Sequence, residues 1–218
     1  LEMNSSRILI VCGGSLGAQA LQLVKEKEPS DVLIGVDRGA WWLVKNGFKL
    51  EGAFGDFDSV TEDEAMQIKA ASDWVKSFDA IDKDWTDSEL AMHWALERKP
   101  KQIILLGATG TRFDHTLANI YLLQKALEAG IDCRLIDEHN EIKLIDRTSQ
   151  VMRSRHPYIS LISISDQTTG ITLEGFRYPL HNATLKRGQA LGVSNVLLSN
   201  VGTIHLDHGL LLVIQSED

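Results

Sequence analysis

At 218 residues the chain can bury a sizeable core, as one large domain or two small ones, and 44% hydrophobic with 24% charged residues is ordinary for a globular protein. A net charge of -8 argues against a nucleic-acid or anionic-membrane surface, since both demand basic patches. A polyphosphate ligand stays possible if a divalent cation screens it. No run approaches the roughly 18 consecutive apolar residues of a membrane span. Cys12 and Cys133 each sit inside an apolar run, which suits free thiols in a reducing, cytoplasmic setting better than a disulfide framework.

Leu1-Glu2 ahead of Met3 reads as a cloning remnant. Arg7, "ILIVC" and "AQA" mimic the parts of a signal peptide, but the apolar stretch breaks at Gly13-Gly14, so "RILIVC" (7–12) reads as a first strand. A helix follows through Leu21 to Lys27. "DVLIGVD" (31–37) is a second strand, and "RGAWWLVKNG" a short helix stopped at Gly47. "EGAFG" is a brief third strand, leading into "GDFDS" (55–59); Thr61-x-x-Glu64 then forms a capping box for the next helix. "DWVKSF" is strand-like, and "TDSELAMHWALERK" (86–99) is a helix with apolar residues at helical spacing. "QIILLGA" (102–108), a helix over 115–130 and the strand "DCRLID" (132–137) complete the alternation. Strands alternating with helices predict a mainly parallel sheet covered on both faces.

From about residue 138 the texture changes to short alternating runs, such as "YISLISIS", "GITLEG", "VGTIHL" and "GLLLVIQS", punctuated by turn residues. That pattern predicts an all-β sandwich or barrel. The boundary falls within 138–150, which divides the chain into an α/β domain over 1–140 and a β-sandwich over 141–218.

Acidic residues recur where ligands bind in open α/β sheets, outside the carboxyl ends of strands. Asp37 closes the second strand, Asp56 and Asp58 follow the third, Asp82, Asp84 and Asp87 follow the fourth, and Asp114 follows the fifth. Each alone reads as a turn or a helix cap; Thr86-x-x-Glu89 is a second capping box, and Asp114 stands where it would cap a helix starting at His115. Capping does not ask for Asp56 and Asp58 together, however. In extended backbone they would share a face and repel unless a cation lay between them. Oxygen ligands without paired His or Cys point to a hard cation, with magnesium using one or two carboxylates plus substrate phosphates. The histidines have no metal-binding spacing; His93, His205 and His208 read as helix and turn residues.

Phosphate also wants close backbone N–H groups and a cation. "GATGTRFDHT" (107–116) supplies two glycines, Arg112 and a helix amino end, and "CGGSLG" (12–17) is a weaker second junction. GxxxxGK[ST] is absent, which disfavours a P-loop enzyme.

Taken in order, "GVDRGA" (35–40), "GDFDS" (55–59), "DKDWTDSELA" (82–91), "GATGTRFDHTLAN" (107–119) and "GVSN" (192–195) resemble the thiamine pyrophosphokinase family over nearly the whole chain. The resemblance implies a nucleotide-carrying α/β domain, a C-terminal β-sandwich, and a homodimer with active sites between subunits. It implies transfer of a pyrophosphoryl group from ATP to the hydroxyl of thiamine, giving thiamine diphosphate and AMP, with Mg2+. Carried over by position, Asp56, Asp58 and Asp87 bind the metal, and Asp37, Asp84 and Thr86 line the nucleotide region. Arg112 faces phosphate, Asp114 is the polar residue near the reacting hydroxyl, and Ser194 and Asn195 meet thiamine. For the base that takes the hydroxyl proton, Asp114 is the first choice and His115 the second. The chain departs from the family pattern twice: Thr111 stands where a glycine is usual, and no tryptophan lies in the β part, whose aromatics are Tyr158, Phe176 and Tyr178. "DFDSV" also fits the nucleophile motif of haloacid dehalogenase-type phosphatases, with Asp56 phosphorylated, but that class places it on the first strand. A non-catalytic nucleotide- or thiamine-binding module is the remaining alternative.

Overall fold

A computed structural model of the chain describes residues 7–76 and 85–218. The chain divides into two compact units, Leu1–Glu138 and His139–Asp218.

The first unit is built on parallel strands β1 (Arg7–Val11), β2 (Val32–Val36), β3 (Leu50–Phe54), β4 (Ser72–Lys76), β5 (Gln102–Leu106) and β6 (Asp132–Ile136). They lie in the order β4-β3-β2-β1-β5-β6. The central strands RILIV, VLIGV and QIILL are almost wholly buried, as expected where helices cover both faces of a parallel sheet. SDWVK, at the edge, exposes Asp73 and Lys76 instead.

Helices α1 (Ala18–Lys25), α2 (Arg38–Lys45), α3 (Glu62–Ala71), α4 (Asp87–Glu97) and α5 (Phe113–Glu128) connect these strands. Leu9, Val11, Leu33 and Leu106 of the sheet pack with Val24 of α1 and Ala40 and Leu43 of α2 in one buried cluster. Burial of each such side chain stabilises by about 1.5–3 kcal/mol. The capping box of α3 is complete: the Glu64 N–H donates to Thr61 Oγ1 at 3.3 Å, and the Thr61 N–H donates to Glu64 Oε2 at 2.8 Å. The one expected on α4 closes by half. Thr86 Oγ1 accepts from the Glu89 N–H at 3.2 Å, while the Glu89 carboxylate pairs with Lys125 Nζ of α5 at 3.3 Å.

The second unit holds antiparallel strands β7 (Asn140–Ile145), β8 (Ser149–Met152), β9 (Tyr158–Ser163), β10 (Gln167–Glu174), β11 (Ala183–Lys186), β12 (Val201–His205) and β13 (Leu211–Ser216). β13 pairs with β7 and β9, and a four-stranded sheet runs β11-β10-β12-β8. Ile159, Leu161 and Val213 of the first set meet Ile171, Leu173 and Ile204 of the second in a single buried cluster. That shared core makes the unit a sandwich.

Candidate functional site at the carboxyl edge of the parallel sheet

The chain winds outward from β1 through β2 and β3 to β4, then returns to the other side of β1 with β5 and β6. Connections leaving β1 and β5 therefore diverge, and a crevice opens between them at the carboxyl ends of the strands. A cleft of about 810 Å³ lies there, lined by Cys12, Gly13 and Gly14 after β1, by Asp37 and the face of α2 after β2, and by residues 107–112 after β5.

Its floor is two loops laced together. Gly14 N–H donates to the Gly107 carbonyl at 2.8 Å and Ser15 N–H to the Thr109 carbonyl at 2.7 Å. A Cβ on Gly14 would collide with the Thr109 carbonyl oxygen, so the close approach requires glycine. α5 and β6 hold the second loop from behind. Asn119 Nδ2 donates to the Ala108 carbonyl at 2.8 Å, Gly110 N–H donates to Thr116 Oγ1 at 3.2 Å, and Thr109 Oγ1 donates to Asp137 Oδ2 at 2.7 Å. Asn119 and Thr116 are both buried.

The first junction departs from its expected role. Glu138 Oε1 accepts from the Gln19 N–H at 2.7 Å, so a carboxylate of the chain itself already sits at the amino end of α1. That helix end is therefore already met by a carboxylate, and residues 12–17 reach the cleft through Cys12, the diglycine and Leu16 instead.

Asp37, at the N-cap position of α2, has φ 47° and ψ -122°, in a region where non-glycine residues cost of order 1–3 kcal/mol. Its N–H donates to the Phe54 carbonyl at 2.9 Å, and its carboxylate fills the space that a side chain on Gly55 would take. The strain thus seats Asp37 against the start of GDFDS, two residues that lie far apart in sequence. Beyond Gly55 the backbone is not extended as the DxD argument assumed. Phe57 has φ 58° and turns its ring into the core cluster, and the Asp58 N–H donates to Asp56 Oδ1 at 3.2 Å. Asp56 and Asp58 are exposed on a turn whose half-buried Phe57 packs on the core, and the next residue, Ser59, lines the cleft.

Asp87 opens α4 and is half-buried. Its neighbour Ser88 lines the cleft, where its hydroxyl donates to Cys12 Sγ at 3.4 Å. Burial, the largest influence, pushes the Cys12 thiol up to about 11, against the opposing pull of that bond. Among the described residues no three His, Cys, Asp or Glu side chains stand together as a metal cage. Asp56, Asp58 and Asp87 are therefore not a preassembled triad; Asp82 and Asp84 lie outside the described residues. Two exposed carboxylates on the turn that leads to the cleft-lining Ser59 still suit magnesium, which shares such ligands with phosphates and water.

Arg112 and Asp114, expected to act separately, hold each other. Arg112 donates to both Asp114 oxygens, from a terminal nitrogen at 2.6 Å and from Nε at 3.3 Å, with both side chains exposed. The guanidinium holds the Asp114 carboxyl below the usual carboxylate range, and the carboxylate raises Arg112. Helix α5 starts at Phe113 with Arg112 at its N-cap, so Asp114 sits in the first turn rather than at the cap position. His115 lines the cleft beside Arg112 and Thr111.

In the second unit, Ser194 is exposed with φ 60°, its N–H donating to Ser160 Oγ at 3.1 Å. Asn195 is buried and fully engaged. Its Nδ2 donates to the Tyr178 carbonyl at 2.7 Å, and its Oδ1 accepts from the N–H groups of Tyr178 at 3.0 Å and Val196 at 2.9 Å. These bonds tie Tyr178 to the loop that carries Ser194. Of the aromatics in this part, Phe176 is core, whereas Tyr178 is exposed.

Sequence reasoning missed Thr116, Asn119 and the cleft face of α2. The signal was there: Thr116 and Asn119 occupy the stripe of α5 that continues as Leu123 and Ala126, an apolar face interrupted by two polar groups.

A strained carboxylate, a diglycine floor and an arginine-bearing loop at the switch point of a parallel sheet are the features of a nucleotide-using enzyme of the open α/β class. Residues 23–135 match the model of the thiamin pyrophosphokinase catalytic domain, and residues 142–211 that of the thiamin pyrophosphokinase vitamin B1 binding domain. The chain is 41% identical over 187 residues to the thiamine pyrophosphokinase of Bacillus subtilis, covering 85% of this chain and 87% of that one. It is similar to the crystal structure of the Bacillus subtilis thiamine pyrophosphokinase (TM-score 0.90, 38% identity, 97% and 99% of the two chains). It is likewise similar to the thiamin pyrophosphokinase of Geobacillus thermodenitrificans (TM-score 0.86, 36% identity, 97% and 98%). The chain belongs to the thiamine pyrophosphokinase family, and none of these likenesses points to a phosphatase or to a non-catalytic module.

Proposed function

We propose that this chain transfers the terminal pyrophosphoryl group of ATP to the hydroxyl of thiamine, releasing AMP, and that the switch-point cleft is where ATP lies. The observation that carries this reading is the lacing of the diglycine floor to the GATG loop, which brings Arg38 and Arg112 to one cleft in a chain of net charge -8.

In the step itself, the thiamine hydroxyl oxygen bonds to the β-phosphorus. The bond from that phosphorus to the oxygen shared with the α-phosphate breaks, and AMP leaves with the electron pair. The protein's share is positioning and charge stabilisation. Arg112 offers a planar fork of donors to the transferred group, and Asp114 orients that fork until phosphate displaces it. Because Arg112 holds Asp114 acidic, Asp114 is a poor proton acceptor, and His115 on the cleft wall is the better candidate. Asp56, Asp58 and Asp87 are the proposed magnesium ligands, and the ion would neutralise charge on the phosphate oxygens. Asp37 and Thr86 shape the nucleotide end. In the β unit, Ser194 and the exposed Tyr178 are the proposed thiamine contacts.

A homodimer and a cytoplasmic location accompany this reading. Phe113, Leu117 and Tyr121 form an exposed i, i+4, i+8 stripe on α5, with Phe113 74% exposed, and a second copy of the chain would cover it. No helix among the described residues is long and apolar enough to cross a membrane. The deciding test is incubation with ATP, magnesium and thiamine, followed by chromatography for thiamine diphosphate and AMP. Asp56→Asn should abolish turnover with the fold intact; undiminished AMP formation by that variant removes the metal assignment.

A further inference from the structure

Helix α2 turns an unusual face to the cleft. Arg38, Trp41, Trp42 and Lys45 stand at i, i+3, i+4 and i+7, one stripe of a helix, and all four line the cavity. Gly39, Ala40 and Leu43 face the core on the other side. The wall is therefore two indoles between two cations. Arg38 begins it beside the floor, since a Cβ on Gly13 would lie 3.2 Å from the Arg38 Cβ. Gly14, the next residue, touches the Thr109 loop. The diglycine thus lies between Arg38 on one side and the loop leading to Arg112 on the other. Among the described residues neither Arg38 nor Lys45 enters an ion pair with a carboxylate, so their charge faces the cavity uncompensated.

Both proposed substrates carry rings, and the charges choose between them. Indole faces attract cations, so tryptophans alone would suit the thiazolium of thiamine. Two permanent cations flanking those indoles oppose a cationic ring and favour a neutral one bearing an anionic tail. Among the described residues the cleft lining holds Arg38, Lys45 and Arg112 against the carboxylate of Asp37, with Asp114, outside the lining, paired to Arg112. We infer that the α2 wall is the nucleoside monophosphate subsite: the indole face takes the purine ring, and Arg38 takes the α-phosphate, across the diglycine from Arg112. The inference rests on the ATP-dependent reading above and deepens it, because Arg38 then meets the charge that develops on AMP as it leaves.

The test uses the full-length protein and AMP alone, with neither metal nor thiamine, followed by tryptophan fluorescence. AMP should quench emission, and Arg38→Gln should weaken its binding about tenfold or more, the usual effect of losing a hydrogen bond to a charged group. Adenosine should quench too, but with an affinity that Arg38→Gln leaves alone. Both Arg38 and Lys45 are exposed, so Arg38→Gln and Lys45→Gln should keep the wild-type melting temperature. In steady state Arg38→Gln should raise the KM for ATP and leave that for thiamine unchanged. An unchanged AMP affinity, or a raised thiamine KM with an unaltered ATP KM, overturns the inference. A wild-type protein that binds AMP at this wall yet forms no thiamine diphosphate would instead refute the reaction while leaving the subsite standing.

Discussion

Asn119→Ala tests whether the GATG loop proposed to meet phosphate is held from behind. The Asn119 side chain is buried, 8% exposed, and its Nδ2 donates to the Ala108 carbonyl at 2.8 Å. Removing the donor loses the bond and strands a buried carbonyl, which together cost roughly 2 kcal/mol. For a chain of this size that lowers the melting temperature by about 4–8 °C, readable by calorimetry. The loop keeps its anchors at Thr116 and at Asp137. Its misplacement should therefore raise the KM for ATP by at most about thirtyfold, the full 2 kcal/mol expressed in binding. Asn119→Asp keeps the volume but sets an acceptor against the carbonyl, so it should be the worse variant in both assays. If Asn119→Ala melts within a degree of wild type and binds ATP normally, the anchoring argument fails.

Gly14→Ala should cost more than any side-chain truncation here, because the new methyl meets the Thr109 carbonyl, backbone rather than a flexible tip; an unchanged ATP affinity would show that the loops need not touch. Cys12 should resist thiol reagents in the native protein at pH 8 and react on unfolding, since burial holds its pKa at about 11. That folded value lies above the unfolded one, so its contribution to stability is complete below about pH 9 and is lost as pH rises toward 11. Urea melts at pH 8 and pH 10.5, compared with Cys12→Ala, measure it; equal pH sensitivity in both proteins contradicts the assignment. In the β unit, Asn195→Ala removes three hydrogen bonds and should destabilise by about 3 kcal/mol. Ser194→Ala should leave stability alone and raise the KM for thiamine.

The alternation of apolar strands with helices, the switch to short β runs near residue 138, the α3 capping box and the burial of both cysteines were legible because each depends on local pattern and on hydrophobic burial. The motifs that carried the family resemblance were legible for a related reason: glycines and acidic residues at strand ends leave a mark wherever backbone must approach a ligand. The geometry of the DxD stretch was not, since the left-handed Phe57 follows from the core that its ring enters. Nor was the mutual grip of Arg112 and Asp114, which needs α5 to begin two residues before the expected His115. The partners of the Asn195 amide were not legible either, since sequence shows an amide but not the groups of Tyr178 and Val196 that meet it.

The sequence by itself determined the strands and helices and the loop residues suited to phosphate, all consequences of spacing along one chain. Tertiary structure alone decided that β5 returns beside β1, and with it where the cleft opens and which face of α2 looks into it. That outcome belongs to strand order, which is settled by how separate apolar faces bury one another and leaves no periodic trace in any single segment.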